Sequence, residues 1–236
     1  VNLGILYPLP LEPAVFEHTE LDVEFVGHPL VEILAESRDP AIARHPNTVL
    51  LLPGSRTGEI ERLLEPMVAT AGWLARRHPE LTFVLPVPNR QLHAMVSGHI
   101  VRIRDARNDT PAIEVTTGRT REWLQRADVG LAASGTVTVE AAILGLPLVV
   151  VYKLNWLTYQ LARLLVRIPH FTMVNLVTNR LVYQEFLQGA VTPERVGPAL
   201  EAIMRGGSRR KEVEEGMAEA VRALGGHAEI CRQAAN

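Results

Sequence analysis

Short apolar runs alternate with helical patterns through the middle of the chain. Five runs have strand character: 48–52, 82–85, 112–115, 129–132 and 148–152. All but 112–115, a weaker strand that contains Glu114, have the continuous hydrophobicity of strands buried on both faces. Each of the first four is followed by a stretch with helical spacing, and the fourth of these stretches ends at Gly145 and Pro147. This order predicts an α/β fold, a parallel sheet with right-handed crossovers and helices on both faces, which is a Rossmann-like domain.

The helices can be placed more closely. The first is expected to run to about residue 77 and to restart at Pro66, with the proline in a first turn. The next begins near Arg90, and two shorter helices follow at 119–126 and 137–144. After Lys153 the strands are expected to stop, and helices are predicted at 156–167, 193–205 and 209–224.

The beginning of the chain has a different organisation. Residues 2–6 and 23–26 have strand character, and residues 12–18 have helical character. We therefore interpret residues 1–22 as the tail of one domain and residues 23–236 as a second domain.

Two strand-to-helix turns carry residues suited to anions. In the first, Gly54 allows close backbone approach, Ser55 supplies a hydroxyl and Arg56 supplies a planar guanidinium suited to phosphate oxygens. In parallel sheets, ligands bind outside the carboxyl ends of the strands, where this turn is predicted. The alternative is an ordinary polar turn with a surface arginine.

The second turn contains Ser134, Gly135 and Thr136 between a strand and a helix. The free amides and the dipole of a helix N-terminus favour an anion, although Ser134 or Thr136 could serve only as an N-cap. Glu140 lies one helical turn after Thr136, so both can face one crevice. A carboxylate in this position often accepts ribose hydroxyls, and a helix-surface glutamate is the alternative.

Composition narrows the class of protein. The chain has 236 residues, 47% hydrophobic and 21% charged, with a net charge of −2, which argues against a nucleic-acid binder. Its single cysteine, Cys231, excludes an internal disulfide framework and a multi-cysteine zinc site. The sequence has no Walker A motif, no dinucleotide fingerprint and no cluster with metal-ligand spacing. It also has no signal-peptide pattern and no apolar run long enough to span a membrane.

An ordered series of short motifs resembles the lipid-A-disaccharide synthase family. The series comprises Phe25-Val26-Gly27-His28-Pro29-Leu30, Leu51-Leu52-Pro53-Gly54-Ser55-Arg56 with Glu59-Ile60, Ala133-Ser134-Gly135-Thr136 with Glu140, Pro147-Leu148-Val149-Val150-Val151-Tyr152-Lys153, then Asn175, Arg180 and Glu185-Phe186-Leu187-Gln188. Each motif alone is common, but the ordered set is specific. It departs from the family pattern at Met173-Val174 and Tyr183-Gln184, where Leu-Pro and Val-Pro are expected.

The resemblance implies a GT-B glycosyltransferase, in which two Rossmann-like domains face a cleft. The chain resembles the C-terminal, UDP-sugar-binding half, and residues 1–22 then belong to the N-terminal, acceptor-side domain. The family transfers 2,3-diacylglucosamine from its UDP donor to 2,3-diacylglucosamine 1-phosphate through a β-1,6 link. The implied partners are these two substrates, with no nucleic acid. The implied reaction needs no cofactor and no metal.

The resemblance also implies the site. Arg56 stabilises the leaving group, and the donor is bound by Gly54, Ser55, Arg56, Ser134, Gly135, Thr136, Glu140, Asn175 and Gln188. The catalytic base is expected from the other domain and is not assigned here. The resemblance further implies a cytoplasmic location, with the inner face of the inner membrane as one option. A homodimer is an option for the assembly. The 156–167 helix has an apolar face flanked by basic residues, which suits either a membrane surface or packing on the sheet.

Two alternatives remain at this point. One is another UDP-sugar enzyme of the same fold, such as a 2-epimerase or a glycan transferase. The other is a non-catalytic nucleotide-binding fragment, which the small acceptor-side portion favours.

Overall fold

The computed structural model describes residues 5–7, 23–25, 28–35, 37–39, 41–154 and 170–225. Its centre is a parallel sheet of six strands in the order β5-β4-β3-β6-β7-β8. These strands are β3 (Thr48–Leu52), β4 (Thr82–Val87), β5 (Ile113–Thr117), β6 (Val129–Ala133), β7 (Leu148–Tyr152) and β8 (Gln184–Leu187). A separate parallel pair is formed by β1 (Ile5–Tyr7) and β2 (Val23–Phe25). The predicted parallel α/β architecture is confirmed.

Helices connect the strands and cover the sheet. They are α1 (Pro29–Ala35), α2 (Thr57–Arg77), α3 (Arg90–Ala106), α4 (Thr120–Arg126), α5 (Thr136–Leu144), α6 (Met173–Thr178), α7 (Pro193–Ile203) and α8 (Arg210–Gly225). Helix α2 packs against α3 and α7, whereas α5 packs against α1, α4, α6 and α8. These two groups cover opposite faces, which is why the inner strands carry apolar residues on both sides.

The main core includes buried residues of α2, α7 and the middle strands of the sheet. All five residues of β3 and all five of β6 are buried. Helices α2 and α7 approach closely at Gly197, because a Cβ atom there would overlap the ring of Trp73. This packing fixes the strands whose carboxyl ends form the site described below.

Pro66 corrects the predicted restart of the first long helix. Helix α2 is continuous, and Pro66 lies near its middle instead of in a first turn. Proline has no N–H to donate to the carbonyl of Arg62, and this cost is offset by burial of the neighbouring Leu63, Leu64 and Met67. The packing of the helix therefore outweighs the local preference of the proline.

Strand β8 corrects the prediction that strands stop after Lys153. Residues 184–187 pair with β7 at the edge of the sheet, with Val150 opposite Glu185 and Val151 opposite Phe186. A glutamate inside the segment hides its strand character in the sequence. Helix α1 was also not predicted, and the helices expected at 12–18 and 156–167 lie outside the described residues.

Candidate functional site

A cavity of about 650 Å³ lies at the carboxyl ends of β3 and β6. These strands are neighbours, but the chain leaves them in opposite directions, toward β4 on one side and toward β7 on the other. The loops that follow them therefore diverge and leave a crevice, the usual ligand position in an open parallel sheet. Three segments form most of its wall: the turn after β3, the turn after β6 and the loop between β5 and α4.

The turn after β3 is held by a contact between its backbone and Glu59. The Glu59 carboxylate, in the first turn of α2, lies against the backbone of Gly54. Gly54 has a φ of 111°, and a Cβ atom there would overlap the same carboxylate, so glycine is required on both grounds. Burial raises the pKa of Glu59, and the Ser55 N–H with the nearby Arg56 and Arg62 guanidinium groups opposes that rise.

Arg56 lies just outside this wall. It is the last extended residue before α2, with φ −106° and ψ 136°, and its side chain is exposed. Gly54, Ser55 and Glu59 line the cavity, and the side chain of Arg56 does not. The structure therefore places Arg56 next to the crevice, with an exposed side chain that is not part of the wall.

The turn after β6 presents the start of α5 to the cavity. Ser134, Gly135, Thr136 and Val137 all line it. Gly135 is the N-cap residue, and the Thr138 N–H already donates to its carbonyl at 3.1 Å. The amides before Thr138 have no acceptor within the helix and carry the positive end of its dipole. This wall is therefore suited to an anion.

Glu140 lies on the same helix, one turn after Thr136, and both residues line the cavity. Its side chain is 20% exposed, and its Oε2 lies 3.7 Å from Nε of Arg121. Burial raises the pKa of Glu140, whereas the Arg121 guanidinium lowers it. A carboxylate that forms a long ion pair with Arg121 thus lines the crevice beside the turn that suits an anion.

The third wall was not predicted from the sequence. It consists of Gly118, Arg119, Thr120, Arg121 and Glu122, between β5 and the first turn of α4. Arg119 and Glu122 form an ion pair in which Nε donates to Oε2 at 2.7 Å. The signal available in the sequence was a glycine and two arginines directly after a strand, but the predicted strand ended at residue 115.

The structure does not bring Asn175 and Gln188 to the cavity wall. Asn175 is fully buried, with Nδ2 donating to the Tyr183 carbonyl at 2.7 Å and to Glu185 at 2.8 Å, and Oδ1 accepting from the Tyr183 N–H at 2.8 Å. Gln188 has a φ of 54° and donates from Nε2 to the Leu154 carbonyl at 3.2 Å. Their assigned role in donor binding stays a prediction.

Glu185 and Arg180 belong to the same stretch of the motif series as Asn175 and Gln188. The Glu185 carboxylate accepts hydrogen bonds from the Thr172 N–H at 2.9 Å and the Thr172 hydroxyl at 2.7 Å. Arg180 forms an exposed ion pair with Glu219. Asn175 and Glu185 therefore join α6 to β8.

The residues that the structure describes lack two features. They contain no group of three or more His, Cys, Asp or Glu side chains that could hold a metal ion. Within the same ranges, no helix combines the length and apolar character needed to cross a membrane.

The chain is similar to known proteins over most of its length. A family model described as lipid-A-disaccharide synthetase matches residues 4–235. The lipid-A-disaccharide synthase of Syntrophus aciditrophicus is 36% identical over 214 residues, which cover 88% of this chain and 55% of that protein. The corresponding protein of Anaeromyxobacter dehalogenans strain 2CP-1 is 37% identical, with 83% and 51% covered. The chain thus spans about half the length of these relatives.

A solved structure shows the same fold at low sequence identity. A spinosyn rhamnosyltransferase in complex with thymidine diphosphate superposes with a TM-score of 0.54 and 14% identity, covering 99% of this chain and 57% of that one. At this identity the likeness concerns the fold alone, a Rossmann-like domain of the kind found in GT-B glycosyltransferases.

Proposed function

The chain belongs to the lipid-A-disaccharide synthetase family, and from that premise we propose that it supplies the UDP-sugar-binding part of a lipid A glycosyltransferase. The donor is UDP-2,3-diacylglucosamine and the acceptor is 2,3-diacylglucosamine 1-phosphate. The acceptor hydroxyl attacks the anomeric carbon, the bond from that carbon to the UDP oxygen breaks, and the hydroxyl proton passes to a base outside the assigned residues. The products are a β-1,6-linked disaccharide phosphate and UDP.

The cavity at the switch between β3 and β6 carries this proposal. Residues of both strand-to-helix turns line one space, and Glu140 lies on the same wall. We place the diphosphate against the start of α5 and the Gly54-Ser55 turn, because a helix N-terminus favours negative charge. The ribose then lies toward Glu140, whose carboxylate can accept hydroxyl hydrogens.

Arg56 has a separate role in the proposed reaction. A leaving UDP gains negative charge as the glycosidic bond breaks, and a guanidinium next to the crevice stabilises that charge in the transition state. The exposed side chain of Arg56 is long enough to turn toward the crevice. The reaction as proposed needs no metal and no cofactor.

Calorimetry of the chain with UDP tests the proposed site. We expect binding that is unchanged by a chelator, because amide groups and arginine neutralise the diphosphate. A strict requirement for magnesium or manganese contradicts this expectation. Absence of UDP binding in any buffer contradicts the proposed function itself.

A matched pair of charge changes locates the bound diphosphate. Thr136→Glu places a carboxylate in the first turn of α5, where it stabilises the helix but repels phosphate. UDP affinity should fall at least about tenfold, since a like charge in contact with the ligand costs more than one decade. Ser208→Glu makes the same charge change in an exposed residue near the start of α8 and should leave UDP affinity unchanged. Equal affinities of the two variants contradict the placement.

A further inference from the structure

The cavity holds two arginines whose surroundings differ. Arg119 lies beside Glu122, which accepts from its Nε and from a terminal guanidinium nitrogen. Glu122 also forms an ion pair with Arg126 at 3.0 Å, so its charge is balanced by residues of α4 and of the loop before it. Arg121, two residues along, faces the opposite wall, where Glu140 lies 3.7 Å away.

Compared with Glu122, Glu140 lies in a position that is less favourable for an ionised carboxylate. Only 20% of its side chain is exposed, so the ionised form loses much of its hydration. The Arg121 guanidinium is the cation that faces it across the crevice, and the distance of 3.7 Å is longer than a hydrogen bond. Arg121 therefore favours the charged carboxylate without occupying its lone pairs.

The remaining charged groups on the wall do not replace Arg121. Glu59 lies on α2, on the side of the Gly54-Ser55 turn, and would disfavour a second negative charge. Arg119 and Glu122 are paired with each other. Among these cavity-lining groups, Arg121 is thus the one that favours the ionised form of Glu140.

We propose that Arg121 is a positioning residue that keeps Glu140 ionised and open toward the cavity, so that the site selects ribose over 2′-deoxyribose. The inference rests on the proposed function. An ionised carboxylate accepts hydrogens from both ribose hydroxyls, whereas a protonated one must use one oxygen as a donor. A 2′-deoxynucleotide offers one hydroxyl fewer and gains less from the charged form.

The experiment compares the affinities of UDP and 2′-deoxy-UDP by calorimetry. The unmodified chain should prefer UDP by about tenfold or more, since a hydrogen bond to a charged group contributes at least this factor. Arg121→Gln should reduce the preference at least about threefold, and Arg121→Lys should restore most of it because the charge returns. As the pH is lowered, both proteins should lose the preference for UDP because Glu140 becomes protonated. Arg121→Gln should lose it at a higher pH than the unmodified chain, because removal of the cation raises the pKa of Glu140.

Arg119→Gln is the matched control, since it removes the same charge from the same cavity. It should weaken both nucleotides by a similar factor and leave their ratio unchanged. Glu140→Gln should abolish the preference, and adding Arg121→Gln to it should change the ratio no further. If Arg121→Gln binds UDP tightly and keeps the full preference for UDP over 2′-deoxy-UDP, the inference about Arg121 is wrong and the proposed function stands. If the unmodified chain does not bind UDP, the proposed function is wrong.

Discussion

Arg56 shows how far a single residue can be assigned from its neighbours in the sequence. The turn and the resemblance place it beside the donor diphosphate, and the structure confirms the strand-to-helix turn but leaves the side chain exposed next to the crevice. Backbone position is fixed by the pattern of apolar residues before and after it. The direction of a long exposed side chain is not, because solvent and ligand both compete for it.

Replacement of Arg56 separates a catalytic role from a surface role. In a full-length family member that carries this half, Arg56→Ala should lower turnover at least about tenfold, since a charge-assisted bond to phosphate is worth roughly 1.5–3 kcal/mol. Arg56→Lys should recover part of the loss, because it keeps the charge without the planar fork. Steady-state kinetics and a melting curve on the same variants check this. Normal turnover with unchanged melting would identify Arg56 as a solvated turn residue.

Gly54 has a backbone requirement that a thermal unfolding experiment can measure. With φ at 111° and the Glu59 carboxylate against it, Gly54→Ala should destabilise the chain by about 1–3 kcal/mol and weaken UDP binding. Gly98→Ala is the matched control. Gly98 lies within α3 with open space where its Cβ would be, so alanine there should stabilise by about 0.5–1 kcal/mol. Equal shifts in both variants would show that the Gly54 turn is not strained by a side chain.

At the scale of elements, the sequence predicts the strands of the sheet centre better than its edge. Buried strands such as β3 and β7 are uniformly apolar, so their bounds are predicted correctly. Strand β8 contains Gln184 and Glu185, and its burial depends on hydrogen bonds from Thr172 and Asn175. These partners lie 13 and 10 residues from Glu185 along the chain, outside the strand itself, so the alternation of polar and apolar residues within the strand does not reveal them.

Asn175 provides the test of that edge. All of its amide hydrogen-bonding groups have partners on Tyr183 or Glu185, and it is fully buried. Asn175→Ala should lower the free energy of unfolding by about 2–4 kcal/mol, because it leaves buried partners unsatisfied. Denaturant unfolding measures this, with Gln91→Ala, an exposed amide on α3, expected to change stability by less than about 0.5 kcal/mol. A loss of UDP affinity in a variant of unchanged stability would instead support the predicted donor contact.

At the scale of the whole molecule, the site depends on strand order. The two anion-suited turns are found from the sequence because each follows an apolar strand and precedes a helix. The third wall, with Arg119 and Arg121, reaches the same cavity because α4 crosses back over the sheet between β5 and β6 and packs against α5. A sequence gives the elements in chain order, and only the fold shows that residues 119–122 and 140 face each other.

The chain spans about half the length of its family relatives. The chain covers 55% of the Syntrophus aciditrophicus relative, and a GT-B reaction takes place between two domains. The 236-residue chain should therefore bind UDP but form no disaccharide above background when given both acylated substrates, because in the proposed reaction the catalytic base lies outside the assigned residues. A chimera that joins this chain to the complementary half of that relative should restore product formation, and Thr136→Glu within the chimera should remove it again. Robust turnover by the chain alone would contradict the prediction and show that a catalytic base lies within these residues.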